Sequence, residues 1–225
     1  MKSRFAAAAV LFLAAMATSA VAQDQTIDDF TTGAYSSPGY RSGVYVASQN
    51  GTMVGGNRST SIFICNPKIK NDCASRNPYN QISSYGFYPA NAFRSAALVQ
   101  TTGYDSGTRF EVGYGYGPAM DIDFSSTDRL RVTFAGLAQE LNFNVQIFTG
   151  TSWGQNGCNL SPSTVPFTVE LPYAGFAGPG FDPKNVNFID FIFQTGSAIG
   201  GDSLAISSFH AVNGGQAGAI VCKLN

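Results

Sequence analysis

Fourteen carboxylates, one histidine, four cysteines and a large store of aromatic and amide side chains are what this 225-residue chain offers for chemistry. Acyl transfer of the triad type needs a histidine base beside a nucleophile. His210 stands just past a predicted strand end without partner motifs, and reads as an ordinary surface or loop residue. Glycoside cleavage needs two carboxylates flanking the bond, and three settings put carboxylates on a strand face: Glu111, Glu170, and the alternating pair Asp121 and Asp123. Solvation of a strand surface accounts for the same spacing. Asp190 differs, because it interrupts the apolar run Phe188-Ile189-Asp190-Phe191-Ile192. A buried carboxylate is either paired with an arginine or backbone amides, or is a ligand-site acid with a raised pKa.

Sugar binding asks for flat rings beside amide, hydroxyl and carboxyl groups, since C–H faces stack on rings while hydroxyls need placed partners. Trp153 falls in the glycine-bounded segment 150–157, read as a loop. Tyr85 and Tyr88 crowd a polar, aromatic stretch at 65–95, and Tyr114 and Tyr116 flank a glycine-rich turn. These five are the candidate ligand-binding rings, although tyrosines also serve as cross-strand packing partners.

The elements that must carry these groups are strands. Apolar and polar residues alternate in Leu130–Phe134 and Leu141–Ile147, the pattern of half-buried strands, and the short link through Gly136 predicts that the two pair as an antiparallel hairpin. Further strands are expected at 43–47, 60–64, 96–101, 108–114, 166–171, 187–194 and 203–209, separated by Gly, Pro, Asn and Asp clusters. The 187–194 segment is apolar almost throughout and should be a central strand. One-faced antiparallel strands bury their apolar sides by packing two sheets together, so the expected fold is an all-β, two-sheet antiparallel sandwich or jelly roll, with a closed barrel as the alternative. One domain over 23–225 is expected, carrying a disulfide-bearing insertion around 65–95.

Residues 1–22 read as a signal peptide: Lys2 and Arg4 precede an apolar run, and Ala20-Val21-Ala22 forms an A-x-A cleavage site. The run is short for a membrane span, so a secreted or periplasmic chain without a transmembrane anchor is expected. Of thirteen Lys and Arg, removal of Lys2 and Arg4 leaves eleven against fourteen Asp and Glu, with no basic cluster to follow a phosphate backbone. Nucleic acid is therefore not an expected partner. Cys65, Cys73, Cys158 and Cys222 in an exported chain suggest two disulfides. Three pairings are open, of which Cys65–Cys73 and Cys158–Cys222 are favoured. With no C-x-x-C pair and one histidine, zinc is not expected.

Three short motifs, Ile27-Asp-Asp-Phe30, Gly51-Thr-Met-Val-Gly-Gly-Asn-Arg58 and Asp202-Ser-Leu-Ala-Ile-Ser-Ser-Phe209, resemble those of a diffuse set of uncharacterised exported bacterial proteins. The likeness covers most of 27–209. It implies a jelly roll similar in shape to galactose-binding-like domains and carbohydrate-binding modules, with the opening I-D-D-F strand beside the closing strand. No activity and no functional residue come with it. A jelly roll that brings Asp28, Asp29 and Asp202 together would suit a structural calcium ion, which takes six to eight oxygens. The leading expectation is a non-catalytic exported protein binding carbohydrate or another cell-surface ligand. The alternatives are a structural or interaction protein of the cell surface or extracellular matrix, and a carboxylate-based glycan-degrading enzyme.

Overall fold

In the computed structural model, which describes residues 24–33, 35–36, 43–64, 81–84, 98–102, 108–117, 119–178, 180–195 and 201–223, the alternating stretches are strands with one buried face. Fourteen strands occur among these residues: β1 Gln25–Asp28, β2 Tyr35–Ser36, β3 Gly43–Asn50, β4 Asn57–Ile64, β5 Gln81–Ser84, β6 Leu98–Thr102, β7 Thr108–Tyr114, β8 Arg129–Leu137, β9 Leu141–Thr149, β10 Ser152–Leu160, β11 Phe167–Pro172, β12 Phe188–Thr195, β13 Gly201–Val212 and β14 Ile220–Val221. They form two sheets. One has eight strands, ordered β14-β11-β8-β13-β6-β5-β2 with β1 also on β13; the other has six, ordered β10-β9-β12-β7-β4-β3. Every pairing is antiparallel except that of β11 with β14. The protein is thus the two-sheet jelly-roll sandwich its patterning predicts, and β12 is a central strand, between β9 and β7.

Apolar positions of both sheets meet in one aromatic core. Phe191 of β12 stacks on Phe209 of β13 at 3.9 Å between ring centroids, and Phe134 of β8 meets Phe143 of β9 edge-on at 5.9 Å. This last contact corrects an expectation. The β8 and β9 segments are not a hairpin: β8 pairs with β11 and β13, β9 with β10 and β12. The short link between them crosses from one sheet to the other, so their apolar faces oppose each other across the core. Alternation specifies which side of a strand is buried, not which neighbour it bonds.

The true partner of β9 is β10, joined by the two-residue turn Gly150-Thr151, with Gly150 at φ 62°. Positive φ at the first turn position is what a tight hairpin requires and glycine supplies. Segment 150–157 is therefore a turn and a strand, not a loop. Few apolar residues mark it, because its inward positions are Gly154, Asn156, Cys158 and Leu160. Within the expected insertion, Gln81–Ser84 is a sheet strand between β2 and β6. Tyr85, Tyr88, Cys65, Cys73 and residues 1–22, the expected signal peptide, lie outside the described residues.

The first two resembling motifs meet in a buried polar knot at the edge of this core. Arg58, fully buried on β4, donates through Nη1 to Asp28 Oδ2 at 2.6 Å, and Tyr114 donates its hydroxyl to the same oxygen at 2.8 Å. The Phe30 amide fills Asp28 Oδ1 at 2.7 Å. Arg58 also holds Gln49 Oε1 at 3.0 Å and the Gly33 carbonyl at 2.6 Å, with its guanidinium over the Phe30 ring. The opening strand β1 lies antiparallel on β13, as the resemblance implies.

Cys158 of β10 bonds Cys222, just past β14, linking one edge of each sheet across 64 residues. One favoured pairing is therefore present. In the chain-entropy model a loop of this length gives an upper figure of about 4 kcal/mol, and measured values run roughly 2–4. Replacing both cysteines by alanine should lower the unfolding free energy in urea by roughly 2–4 kcal/mol. A loss below about 1 kcal/mol would show that β14 holds its place without the bond.

Candidate functional site

The outward face of the six-stranded sheet carries the side chains that alternate with the core, and among the described residues these are mainly uncharged polar and aromatic, with Arg109, Glu111 and Asp190 the charged ones. Four rings form a row across four neighbouring strands. Trp153 of β10 stands opposite Phe148 of β9, and Phe148 opposite Phe188 of β12 at 5.3 Å between ring centroids. Tyr116, just past β7, meets Phe188 edge-on at 4.3 Å. Trp153 is 39% and Tyr116 53% exposed, so the ends of the row face solvent.

Beside the rings runs a chain of amides. Gln146 donates to Gln155 Oε1 at 3.4 Å, Gln155 to Asn144 Oδ1 at 3.1 Å, Asn144 to Asn142 Oδ1 at 2.6 Å, and Asn142 to Asn159 Oδ1 at 2.8 Å. Gly157 makes room for it, since a Cβ there would stand 2.4 Å from Asn144 Oδ1. On the far side Ser48, Asn50 and Asn57 form a smaller network.

Between these networks sit two acids. Asp190 of β12 lies in register with Gln146 on one side and Gly113 on the other. Glu111, two positions along β7, is held by Arg109, which donates Nε to Oε1 at 2.6 Å and pairs through Nη2 as well. Asp190 is only 5% exposed, and its Oδ1 has no hydrogen-bond partner. Burial first, and the negative charge of Glu111 second, push its carboxyl up to about 7, against a smaller downward pull from Arg109. Of the two roles expected for Asp190, that of an acid with a raised pKa is the one the geometry supplies. Tyr116 rests over Gly113, where a Cβ would meet the ring at 2.1 Å. Burial, then Asp190 and Glu111, hold its phenol above the ordinary value, so it remains a donor.

Of the predicted rings, Trp153 and Tyr116 come together on this face. Tyr114 does not. It points inward, fully buried, with its hydroxyl on Asp28, because it ends β7 on the core side, next to outward Gly113, and Gly115 at φ 92° breaks the alternation so that Tyr116 turns back over Gly113. The calcium expectation also changes. Asp28 spends both oxygens on Arg58, Tyr114 and Phe30, while Asp29 faces the other way and accepts from Thr31. Among the described residues no three metal-ligating side chains gather. The side chain of Asp202, on β13, lies outside the described set.

The other acids are tied into structure. Glu170 is fully buried between Arg129 at 2.9 Å, Arg131 at 2.8 Å and the Gln216 amide at 2.9 Å. Burial raises its carboxyl, but these donors outweigh it and leave the group below its usual value. Neither it nor Glu111 is the solvent-facing residue that alternation suggests. Asp123 caps the Ser125 amide and Asp121 accepts from Asn187. His210 is on β13 itself, with Thr26 Oγ1 at 3.4 Å from Nδ1. No G-x-S-x-G elbow is expected of this chain, yet Gly150-Thr151-Ser152-Trp153-Gly154 does spell G-x-S-x-G. It forms a hairpin turn running into a strand, not the strand-to-helix elbow that presents a nucleophile.

No family model matches the chain, and no curated protein does. Among solved structures it is similar to a family 11 carbohydrate-binding module from Clostridium thermocellum in complex with a β-1,3-1,4-mixed-linked tetrasaccharide, with 14% identity over 88% of this chain and 97% of that one and a TM-score of 0.40. A structure of the family 11 module of a cellulosomal cellulase of the same organism gives 16% identity over 87% and 97%, also at 0.40. At this level of similarity no residue role transfers.

Proposed function

We propose that the protein is an exported carbohydrate-binding protein, and that the outward face of its six-stranded sheet takes the glycan. The carrying observation is the row Trp153–Phe148–Phe188–Tyr116 lying alongside the amide chain from Gln146 to Asn159. Four strands at about 4.8 Å spacing give a ring row on the order of 14 Å long, room for a few sugar units of a chain. Rings take the C–H faces of sugars, and amides offer both donors and acceptors to hydroxyls. The Cys158–Cys222 bond supports an oxidising destination. The reading is one of binding, since Glu111 is occupied by Arg109 and is a poor partner for a two-carboxylate reaction.

A glycan array followed by titration calorimetry on the positives tests it. At least one polysaccharide should bind, and Trp153→Ala should weaken it about tenfold or more, equivalent to about 1.4 kcal/mol, while the protein stays folded with only a modest fall in melting temperature, because the ring is partly exposed on an edge strand. An array with no positives, or a Trp153→Ala protein that binds as well as the parent, overturns the proposal. Release of new reducing ends from a bound polysaccharide would replace it with the glycan-degrading alternative.

A further inference from the structure

Among the described residues, Asp190 is the acid of the binding face with a buried oxygen that has no hydrogen-bond partner. Its neighbours from each packed element are Glu111 and Arg109 on β7, Gln146 on β9, and Tyr116 from the turn after β7. Arg109 is engaged with Glu111, so among the described residues one positive charge stands beside two carboxylates. A sugar hydroxyl would fill Asp190 Oδ1 and leave the surplus negative charge in place. An ammonium group would fill the oxygen and balance the charge together, and a charge-assisted hydrogen bond is roughly twice as strong as a neutral one. The Tyr116 ring beside the same spot offers a face to a cation.

We propose that Asp190, with Glu111 beside it and Tyr116 above, is a subsite for the ammonium group of a free amino sugar, so that the glycan bound includes unacetylated 2-amino-2-deoxyhexose units. This rests on the carbohydrate-binding reading. Tyr116 is the piece that admits the group. It is half-exposed and sits between Gly115, at φ 92°, and Gly117, which has open space around it. Swinging that ring off Gly113 uncovers the carboxyl.

The test compares three oligosaccharides near neutral pH by calorimetry: glucosamine hexamer, its fully N-acetylated counterpart, and a neutral glucan hexamer. The glucosamine oligomer is expected to bind at least tenfold more tightly than the other two. Asp190→Asn should abolish that preference, bringing the affinity for the glucosamine oligomer down to that of the other two. Gly113→Ala should push the Tyr116 ring from its seat and raise the association rate of the glucosamine oligomer severalfold. Equal or tighter binding of the neutral oligomers, or a preference that survives Asp190→Asn, overturns the ammonium subsite and leaves the general binding reading standing. Failure of all three oligomers and of the polysaccharide array together overturns both.

Discussion

Arg58→Met is expected to cost about 3–5 kcal/mol of folding free energy. The cost of breaking a buried pair comes from the partner left behind, because an ionised carboxylate without its counter-charge has lost its water and gained nothing in return. Asp28 would keep only the Tyr114 hydroxyl and the Phe30 amide. Arg58 also fastens the Gly33 carbonyl and Gln49, so the loop after β1 would lose its anchor to the six-stranded sheet. The double variant Asp28→Asn/Arg58→Met removes both charges and should recover part of the loss. Urea unfolding of the two single variants and the pair closes the cycle; an Arg58→Met loss under about 1 kcal/mol would mean that the pair is not what holds the motifs together. Glycan affinity should be unchanged in any variant that folds, since Arg58 is on the inward face of β4, opposite the ring row.

Asp190→Asn is expected to stabilise the protein, and only at higher pH. A carboxyl raised to about 7 in the fold from 3.8 makes the native state hold a proton that the unfolded chain gives up. Below about pH 4 both states are protonated and the group costs nothing. As pH rises toward the folded value, ionisation favours the unfolded chain, and by about pH 8 the accumulated penalty is about 4 kcal/mol. Asparagine has no such penalty. The variant should therefore melt on the order of 10 °C higher than the parent at about pH 8, and at the same temperature near pH 4. Calorimetric scans at both pH values check this. Equal melting at about pH 8 would show that the Asp190 charge is already compensated, and the ammonium subsite would lose its reason. A residue whose replacement stabilises a protein is one whose presence the fold does not require, which fits a site group rather than a packing one.

Much of the architecture follows from local pattern. The burial of alternate residues is visible in Leu141–Thr149 and in Arg129–Leu137 from the residue types alone, because a strand's side chains alternate whatever it pairs with. Asp190 is conspicuous by the same logic, a carboxyl in an apolar run. What pattern does not carry is the choice of neighbour. The two alternating strands went to opposite sheets, and β10, with glycine and asparagine where apolar residues are usual, left too faint a trace to be recognised as the partner of β9.

The binding face was half legible for the same reason. Trp153 and Tyr116 stand out as residue types, yet they are 37 positions apart, and only the order β10-β9-β12-β7 sets them at the ends of one row with Phe148 and Phe188 between. The inward turn of Tyr114 and the engagement of Asp28 by Arg58 likewise depend on which strands lie together. Residue order alone determined that the chain would make sheets with one oily side, since side-chain direction is a local property of an extended backbone. The joining of distant residues into a polar knot, a disulfide and a row of rings was decided by the packing of the two sheets, because strand pairing and face-to-face contact act between segments that the sequence separates.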